Sequence, residues 1–192
     1  MNIHFKKAWN SVTSFFKRYG YYAVLGITVC SLALVIVLAV PTGDNNIDVG
    51  GGAVVFFDPV ANATILKGYS DTELQYNQTL NQWEAHKAID FVAPSGTNVL
   101  AVYDGTVANV YSNYMEGNVI VIDHGNNLKT VYKSLDAETI VEIGATVKKG
   151  DPIGTVGNTA MNEVDDGAHV HFEVWKDNQK VNPSAYLTSG DK

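Results

Sequence analysis

Four side chains that can bind a metal ion or transfer a proton occur in two short segments of the chain. The segment HKAIDF holds His86 and Asp90, separated by three residues. This spacing alone is a weak indication, because histidine has many other roles and a hydrogen-bonded or surface pair is common. The segment HVHFEV holds His169 and His171, which a β-strand would place on one face because side chains alternate along a strand. The second segment therefore favours a metal site, with a solvent-exposed pair of strand histidines as the alternative.

Zinc is the metal that these side chains predict. The single cysteine, Cys30, lies in the apolar N-terminal run, so a metal site in the rest of the chain must use histidine and carboxylate. Imidazole and carboxylate groups both bind Zn²⁺. A catalytic zinc keeps one position open for water, whereas a structural zinc takes four protein ligands. One strand imidazole would bind the metal while its neighbour exchanges a proton at the open position.

Short β-strands are predicted throughout the region that joins the two segments. Runs rich in β-branched and aromatic residues alternate with turns centred on glycine, asparagine or aspartate. The predicted strand runs are VLAVY, TVANVYS, NVIVID, LKTVY, TIVEI, IGTV and HVHFEVW. This spacing is typical of a compact all-β domain, a small antiparallel barrel or sandwich. An earlier strand is predicted near residues 54–57.

A membrane anchor is predicted at residues 21–40. This run carries no charge, and its length matches what a helix needs to cross the hydrocarbon core of a bilayer. Lys17 and Arg18 precede the run, and the next basic residue is Lys67, so the positive-inside rule places the N-terminus in the cytoplasm and the domain outside. A cleaved signal peptide is the alternative, but the apolar run is longer than the usual hydrophobic region of such a peptide.

The charge distribution excludes nucleic acid as a partner. The net charge is -7, and all 20 acidic residues follow residue 43. Surfaces that bind nucleic acid cluster Lys and Arg against the phosphates, and the acidic outer region has no such cluster in its sequence.

Between His86 and Tyr186 the order of motifs resembles the LytM, or M23, peptidase family. The motifs are HxxxD, APxGT, AxxDGxV, a strand with a tyrosine, GxxVxxGxxIGxxG and finally HxHFE. The resemblance implies an antiparallel all-β fold of the LytM/M23 type and one bound zinc ion. It also implies that His86, Asp90 and His171 are the zinc ligands and that His169 is a catalytic residue.

The chain departs from this family at a position that matters for catalysis. Active members have a second catalytic histidine two residues after the strand tyrosine, and this chain has Ser134 two residues after Tyr132. A serine donates a hydrogen bond but does not take up a proton near neutral pH. Loss of one such group costs about 10²–10³ in rate. Ala88 and Ala160, where active members have glycine, indicate an altered groove. We therefore expect the peptidase activity to be weakened or lost.

The flanking segments resemble membrane-anchored stage II sporulation proteins of the Q type. This resemblance is carried by the basic N-terminus, the single span, the stalk and the segments FDP, ILKGYS and GNTAMNE. It implies a forespore-membrane protein whose domain docks a partner of the stage III sporulation AH type from the opposite membrane. The alternative function is an active zinc endopeptidase that cleaves peptidoglycan cross-links.

The sequence thus predicts one extracytoplasmic β domain behind one membrane anchor. The predicted parts are a cytoplasmic basic segment at 1–20, a transmembrane helix at 21–40, a flexible stalk at 41–53, a domain lead-in at 54–85, a LytM/M23-like zinc-binding domain at 86–187 and a tail at 188–192.

Overall fold

A computed structural model of the chain describes residues 17–22, 25, 54–137 and 141–187. The chain divides into two compact units, residues 1–44 and 45–192. In the second unit the described residues form β1 (Thr64–Lys67), β2 (Leu74–Asn77), β3 (Gln82–Ala85), β4 (Ile89–Val92), β5 (Asn98–Leu100), β6 (Gly105–Asn113), β7 (Gly117–Asp123), β8 (Leu128–Leu135), β9 (Thr146–Val147), β10 (Pro152–Thr155), β11 (His169–Lys176) and β12 (Gln179–Val181), with 3₁₀ turns at Val164–Asp166 and Pro183–Ala185.

In the N-terminal unit, residues 17–22 and 25 are helical. Most of the predicted span at 21–40, all of the predicted stalk at 41–53 and the predicted tail at 188–192 lie outside the described residues. Within the part of the chain that the structure describes, no helix is both long and apolar enough to span a bilayer. The membrane anchor therefore stays a prediction.

One antiparallel sheet organises the second unit, which confirms the predicted all-β class. Its strands are hydrogen-bonded in the order β1-β4-β11-β8-β7-β6-β9, and β12 pairs with the C-terminal part of β11. The predicted runs NVIVID, LKTVY and HVHFEVW fall within β7, β8 and β11, because β-branched and aromatic residues pack well on a pleated, buried surface. β11 lies between β4 and β8, so its two histidines are flanked by a strand on each side.

The prediction of a small barrel is wrong. Closure of a barrel requires the first and last strands to pair. Here β1 and β9 stand at opposite ends of the strand order, and β9 is only two residues long. The predicted strand TIVEI is also wrong in its described part, since residues 141–143 form no strand. Gly144 follows with φ +87°, a left-handed conformation that ends extended structure, and pairing with β6 begins only at Thr146.

The lead-in residues pack onto the sheet. β1 pairs with β4, and a β2–β3 hairpin follows it. The predicted strand at 54–57 is reduced to a single bridge between Phe56 and Leu187. Phe56 is fully buried, and its ring stacks on that of Tyr186 with 5.1 Å between centroids. Apolar burial of this kind ties the start of the domain to its end.

The apolar core fixes the register of β11. Side chains alternate along this strand, so its even-numbered residues enter the core and its odd-numbered residues face the other side. Phe172 is fully buried between Tyr132 and Phe91, with ring centroids 5.2 Å and 6.2 Å away. A slip of one residue would place a histidine in the core instead of Phe172. The packing of Phe172 therefore also positions the imidazoles of β11.

Candidate metal centre

Strand pairing places Asp90 directly opposite His171. β4 and β11 are antiparallel, with His171 in register with Asp90. His86 stands in the short connection that joins β3 to β4. All three residues are buried, with 0% of Asp90, 6% of His86 and 8% of His171 exposed. Two segments that are far apart in the sequence therefore meet at one buried point.

The donor atoms of these three residues converge. Asp90 Oδ2 lies 3.1 Å from His86 Nε2, and Asp90 Oδ1 lies 3.0 Å from His171 Nδ1. The two imidazole rings are nearly perpendicular, at 86°. None of these four atoms has a hydrogen-bond partner, although buried polar atoms are almost always paired. The arrangement therefore suits a shared cation better than direct hydrogen bonds among the groups.

Glu163 brings a second carboxylate to the same point. Its Oε2 lies 3.2 Å from His171 Nδ1, and its Oε1 lies 3.8 Å from His86 Nε2. One ligand atom from each of His86, Asp90, Glu163 and His171 lies within 4.8 Å of all the others. Two imidazoles and two carboxylates fit Zn²⁺, which binds both kinds of atom at about 2.0–2.2 Å.

A hydrogen bond on the outer side of each imidazole points the inner nitrogen toward the centre. His86 Nδ1 lies 3.1 Å from the carbonyl oxygen of Gly68, to which it donates. His171 Nε2 lies 3.3 Å from Glu173 Oε1, to which it donates in turn. In a neutral imidazole a proton on the outer nitrogen leaves the inner nitrogen free to bind a metal, and metal-binding histidines are oriented in this way.

His169 stands beside the centre with one nitrogen free. It is fully buried, and its Nδ1 donates to the carbonyl oxygen of Gly167 at 2.8 Å. Its Nε2 has no hydrogen-bond partner and lies 3.6 Å from Glu163 Oε2. Burial would lower the pKa of His169, but Glu163 and the carbonyl of Gly167 raise it, so Nε2 can take up a proton beside the centre, as a general base must.

Ser134 is linked to His169 through the main chain of Gly157. The N–H of Gly157 donates to the Ser134 carbonyl at 3.1 Å, and its own carbonyl accepts from the His169 N–H at 3.0 Å. A Cβ on Gly157 would lie 2.5 Å from the backbone nitrogen of Asp136, so only glycine allows this approach. Ser134 is fully buried with φ +63°, and its Oγ has no hydrogen-bond partner. Unusual backbone conformations of this kind cluster at functional sites.

The electrostatics of the metal-free centre favour ionised carboxylates and a protonated His171. Burial would raise the pKa of Asp90, but its contacts with His171 and His86 outweigh burial and hold the pKa below its usual value. Burial would also raise the pKa of Glu163, but contacts with His169 and His171 hold this pKa far below its usual value. Burial would lower the pKa of His171, but Asp90 and Glu163 raise it well above the ordinary value. A bound cation would therefore displace protons from the imidazoles.

Glu173 connects the centre to a charge cluster that it forms with Lys133 and Lys180. Its carboxylate accepts hydrogen bonds from Lys180 Nζ at 2.8 Å and from Trp175 Nε1 at 2.6 Å, and Lys133 Nζ also lies 2.8 Å away. Burial would raise the pKa of Glu173, but its contacts with His171 and Lys133 hold it far below the usual value. Glu173 therefore stays ionised and can accept the outer hydrogen bond of His171.

The structure brings together the residues that the sequence singled out, but it also adds two. His86, Asp90 and His171 share one centre with His169 beside it, while their roles as ligands and catalyst stay predictions. Glu173 could have been found from strand alternation, because it lies two positions after His171. Glu163 could not, because it belongs to an irregular segment whose path no periodicity predicts.

The segment that contains this centre is similar to known proteins. The family model "Peptidase family M23" matches residues 84–183. The DD-carboxypeptidase/endopeptidase Mpg of Neisseria meningitidis is 35% identical over 119 residues, which cover 59% of this chain and 26% of that protein. Stage II sporulation protein Q of Bacillus subtilis is 31% identical over 164 residues, which cover 78% of this chain and 56% of that protein. The chain spans only 20–29% of the length of the first curated relatives that it matches.

Solved structures show the same fold. A chain of the SpoIIQ–SpoIIIAH pore-forming complex matches with a TM-score of 0.61 and 30% identity, over 71% of this chain and 92% of that chain. A zinc-containing peptidase from Vibrio cholerae matches with a TM-score of 0.57 and 32% identity, over 65% of this chain and 37% of that chain. The antiparallel β domain is therefore that of the M23 peptidases.

Proposed function

The chain belongs to peptidase family M23, and we propose that its β domain is a zinc-binding docking module whose peptidase activity is weakened or lost. The observation that carries the zinc site is the set of buried, unpartnered donor atoms on His86, Asp90 and His171. These three residues would hold the zinc ion, with Gly68 and Glu173 orienting the two imidazoles. A bound zinc ion supplies Lewis acidity and joins the groups that it binds.

The weakened peptidase is inferred from the pair of groups that acts beside the zinc. His169 offers one nitrogen that has no hydrogen-bond partner, but Ser134 stands where the family resemblance places the second histidine. The serine hydroxyl can donate one hydrogen bond to developing negative charge but cannot carry a positive charge at neutral pH. Loss of such electrostatic stabilisation lowers the rate by about 10²–10³.

Docking is supported by how far the similarity extends along the chain. The similarity to stage II sporulation protein Q covers 78% of the chain, well beyond the segment at 84–183 that matches the peptidase family. The similarity to Mpg covers 59%. We infer a partner of the SpoIIIAH type, presented by an opposing membrane. The predicted span at 21–40 would anchor the protein in a membrane and hold the domain outside the cytoplasm. If the protein acts in sporulation, this would be the forespore membrane.

An active peptidoglycan endopeptidase is the second candidate. His169 favours it, because its free Nε2 is buried beside the centre and its Nδ1 is fixed by the carbonyl of Gly167. The similarity to Mpg of Neisseria meningitidis also favours it. In this case Ser134 or a water molecule would serve in place of the second histidine.

Digestion of cross-linked peptidoglycan separates the two candidates. The full chain, loaded with zinc, would be compared with its His169→Ala variant, and released peptides would be measured by liquid chromatography. We expect release that stays close to the His169→Ala background. Release by the unaltered chain that falls about 10²–10³-fold in the variant would establish the endopeptidase instead.

Docking is tested by mixing the zinc-loaded chain with the extracytoplasmic domain of a SpoIIIAH-type protein. We expect one complex in size-exclusion chromatography, formed equally by the His169→Ala variant, because docking does not use the catalytic nitrogen. Elution of the two proteins as separate species would remove the docking proposal while leaving the zinc site intact.

A further inference from the structure

Glu163 enters the centre from a segment whose main chain is fixed by two hydrogen bonds. It immediately precedes the 3₁₀ turn Val164–Asp166 and has only 4% of its surface exposed. The preceding residue, Asn162, donates its N–H to the carbonyl of Met115 at 3.3 Å. The carbonyl of Asn162 accepts from Asn77 Nδ2 at 3.0 Å. The main chain before Glu163 is therefore fixed from two directions, which limits where its carboxylate can point.

The carboxylates of Asp90 and Glu163 each approach both imidazoles of the centre. Each carboxylate uses one oxygen toward each imidazole. The oxygens of Asp90 lie 3.0 Å from His171 Nδ1 and 3.1 Å from His86 Nε2, and those of Glu163 lie 3.2 Å and 3.8 Å from the same two nitrogens. Neighbouring ligand atoms of a tetrahedral zinc ion lie about 3.3 Å apart. One ligand atom from each of the four side chains lies within 4.8 Å of the other three, so a small shift of the side chains would bring all four to the ion. The carboxylate of Glu163 thus takes part in the same pattern as the three predicted ligands.

Charge also favours two carboxylates at this buried point. Asp90 alone would neutralise one of the two positive charges of a zinc ion, and an uncompensated charge is costly to bury. Glu163 supplies the second negative charge. It also stands 3.6 Å from His169 Nε2, so the free imidazole nitrogen faces a carboxylate.

We propose that Glu163 is a fourth zinc ligand, which takes the position that a catalytic zinc keeps for water. The inference rests on the proposed zinc site and deepens it. With four protein ligands the zinc is structural, and it ties the irregular segment before β11 to β4 and β11. Activity is then lost for a reason that is independent of Ser134. The competing explanation is that Glu163 only pairs with protonated histidines and leaves the metal when zinc binds.

Cobalt substitution distinguishes these explanations without an activity assay. The full chain would be loaded with Co²⁺, and its visible spectrum would be recorded before and after addition of azide, a small anion that binds only where a coordination position is open. The same measurement would be made on Glu163→Ala and on Asp165→Asn. Asp165 is exposed in the same segment and serves as the matched control, since its variant removes the same charge.

We expect azide to leave the spectrum of the unaltered chain and of Asp165→Asn unchanged and to shift that of Glu163→Ala. We also expect zinc affinity, measured by competition with a chelator, to fall at least about 10-fold in Glu163→Ala. Circular dichroism checks the fold. If Glu163→Ala does not fold, Glu163→Gln keeps the shape of the side chain and should show a loss of affinity in the same direction.

An azide shift in the unaltered chain as large as in Glu163→Ala would overturn the proposal, as would equal zinc affinities of the two. In either case the zinc site itself would stand. If the unaltered chain binds neither Co²⁺ nor Zn²⁺, the proposed zinc site fails and the role of Glu163 fails with it.

Discussion

Two buried histidines of the same domain have opposite surroundings. His124, which follows β7, donates from Nδ1 to the carbonyl of Asp104 at 2.8 Å and accepts at Nε2 from Thr130 Oγ1 at 2.8 Å. Its ring also packs on that of Phe56. His171 has a partner only at Nε2, and its Nδ1 faces two carboxylates without a hydrogen bond. Burial is similar, with 1% and 8% exposed, so burial does not distinguish the two residues.

The pKa values of the two histidines are shifted in opposite directions. Burial lowers the pKa of His124, and the Asp104 carbonyl offsets this only in part. The pKa of His171 is raised well above its ordinary value, because contacts with Asp90 and Glu163 outweigh burial. A histidine with two partnered nitrogens supports the fold. A histidine with one unpartnered nitrogen beside carboxylates is arranged to bind a cation. The two kinds of histidine are therefore distinguished by whether the second ring nitrogen has a hydrogen-bond partner.

The largest expected effect is the loss of zinc binding in His171→Ala. The variant should bind zinc more than about 100-fold more weakly, since even the loss of an outer-shell partner costs about 10–100-fold. His124→Ala is the control and should bind within about 3-fold of the unaltered chain. Competition with a chelator of known affinity measures both. Equal losses in the two variants would erase the distinction between the two histidines.

The next effect concerns stability rather than metal. His124→Ala should lower the free energy of unfolding by about 2–4 kcal/mol, because it opens a cavity and leaves the carbonyl of Asp104 and the hydroxyl of Thr130 without their partner. Urea denaturation of the zinc-free protein measures this loss. A change below about 0.5 kcal/mol would mean that His124 is not the structural histidine inferred here.

A smaller effect is expected where the centre meets the charge cluster. Glu173→Gln should weaken zinc binding by about 10–100-fold, because it replaces the carboxylate that accepts from His171 Nε2. Lys180→Gln alters the same cluster without contact to His171 and should leave the affinity within about 3-fold. If Lys180→Gln is as damaging as Glu173→Gln, the effect comes from the cluster and not from orientation of the imidazole.

The smallest expected effect is an opposite pH dependence of the two histidines in zinc-free protein. The folded-state pKa of His171 is raised, so its stabilisation is present below its unfolded pKa of about 6.5 and is lost as the pH rises through the folded value. The folded-state pKa of His124 is lowered, so its contribution decreases as the pH falls below about 6.5.

Urea denaturation from about pH 5.5 to about pH 8.5, with a chelator present, tests these signs around the ordinary histidine pKa. The loss of stability in His171→Gln should be largest at the acidic end, and that in His124→Gln at the alkaline end. Parallel curves for the two variants would contradict the inferred electrostatics.

Much of the fold followed from local patterns, whereas the details of the centre did not. The alternation of HVHFEVW predicted β11 and placed His169 and His171 on one face. The register that sets Asp90 opposite His171 is a contact between distant segments, and one sequence carries no signal for it. Glu163 escaped prediction because hydrogen bonds to other parts of the fold, not a repeating pattern, position its segment. The predicted barrel failed because closure depends on the pairing of end strands, which strand propensity does not determine.

Measurement of the zinc content of the purified full chain, after exposure to excess zinc and removal of unbound metal, tests the central claim most directly. We predict about one zinc ion per chain, since each chain carries one group of four converging side chains among its described residues. A zinc content indistinguishable from that of His171→Ala would contradict the account.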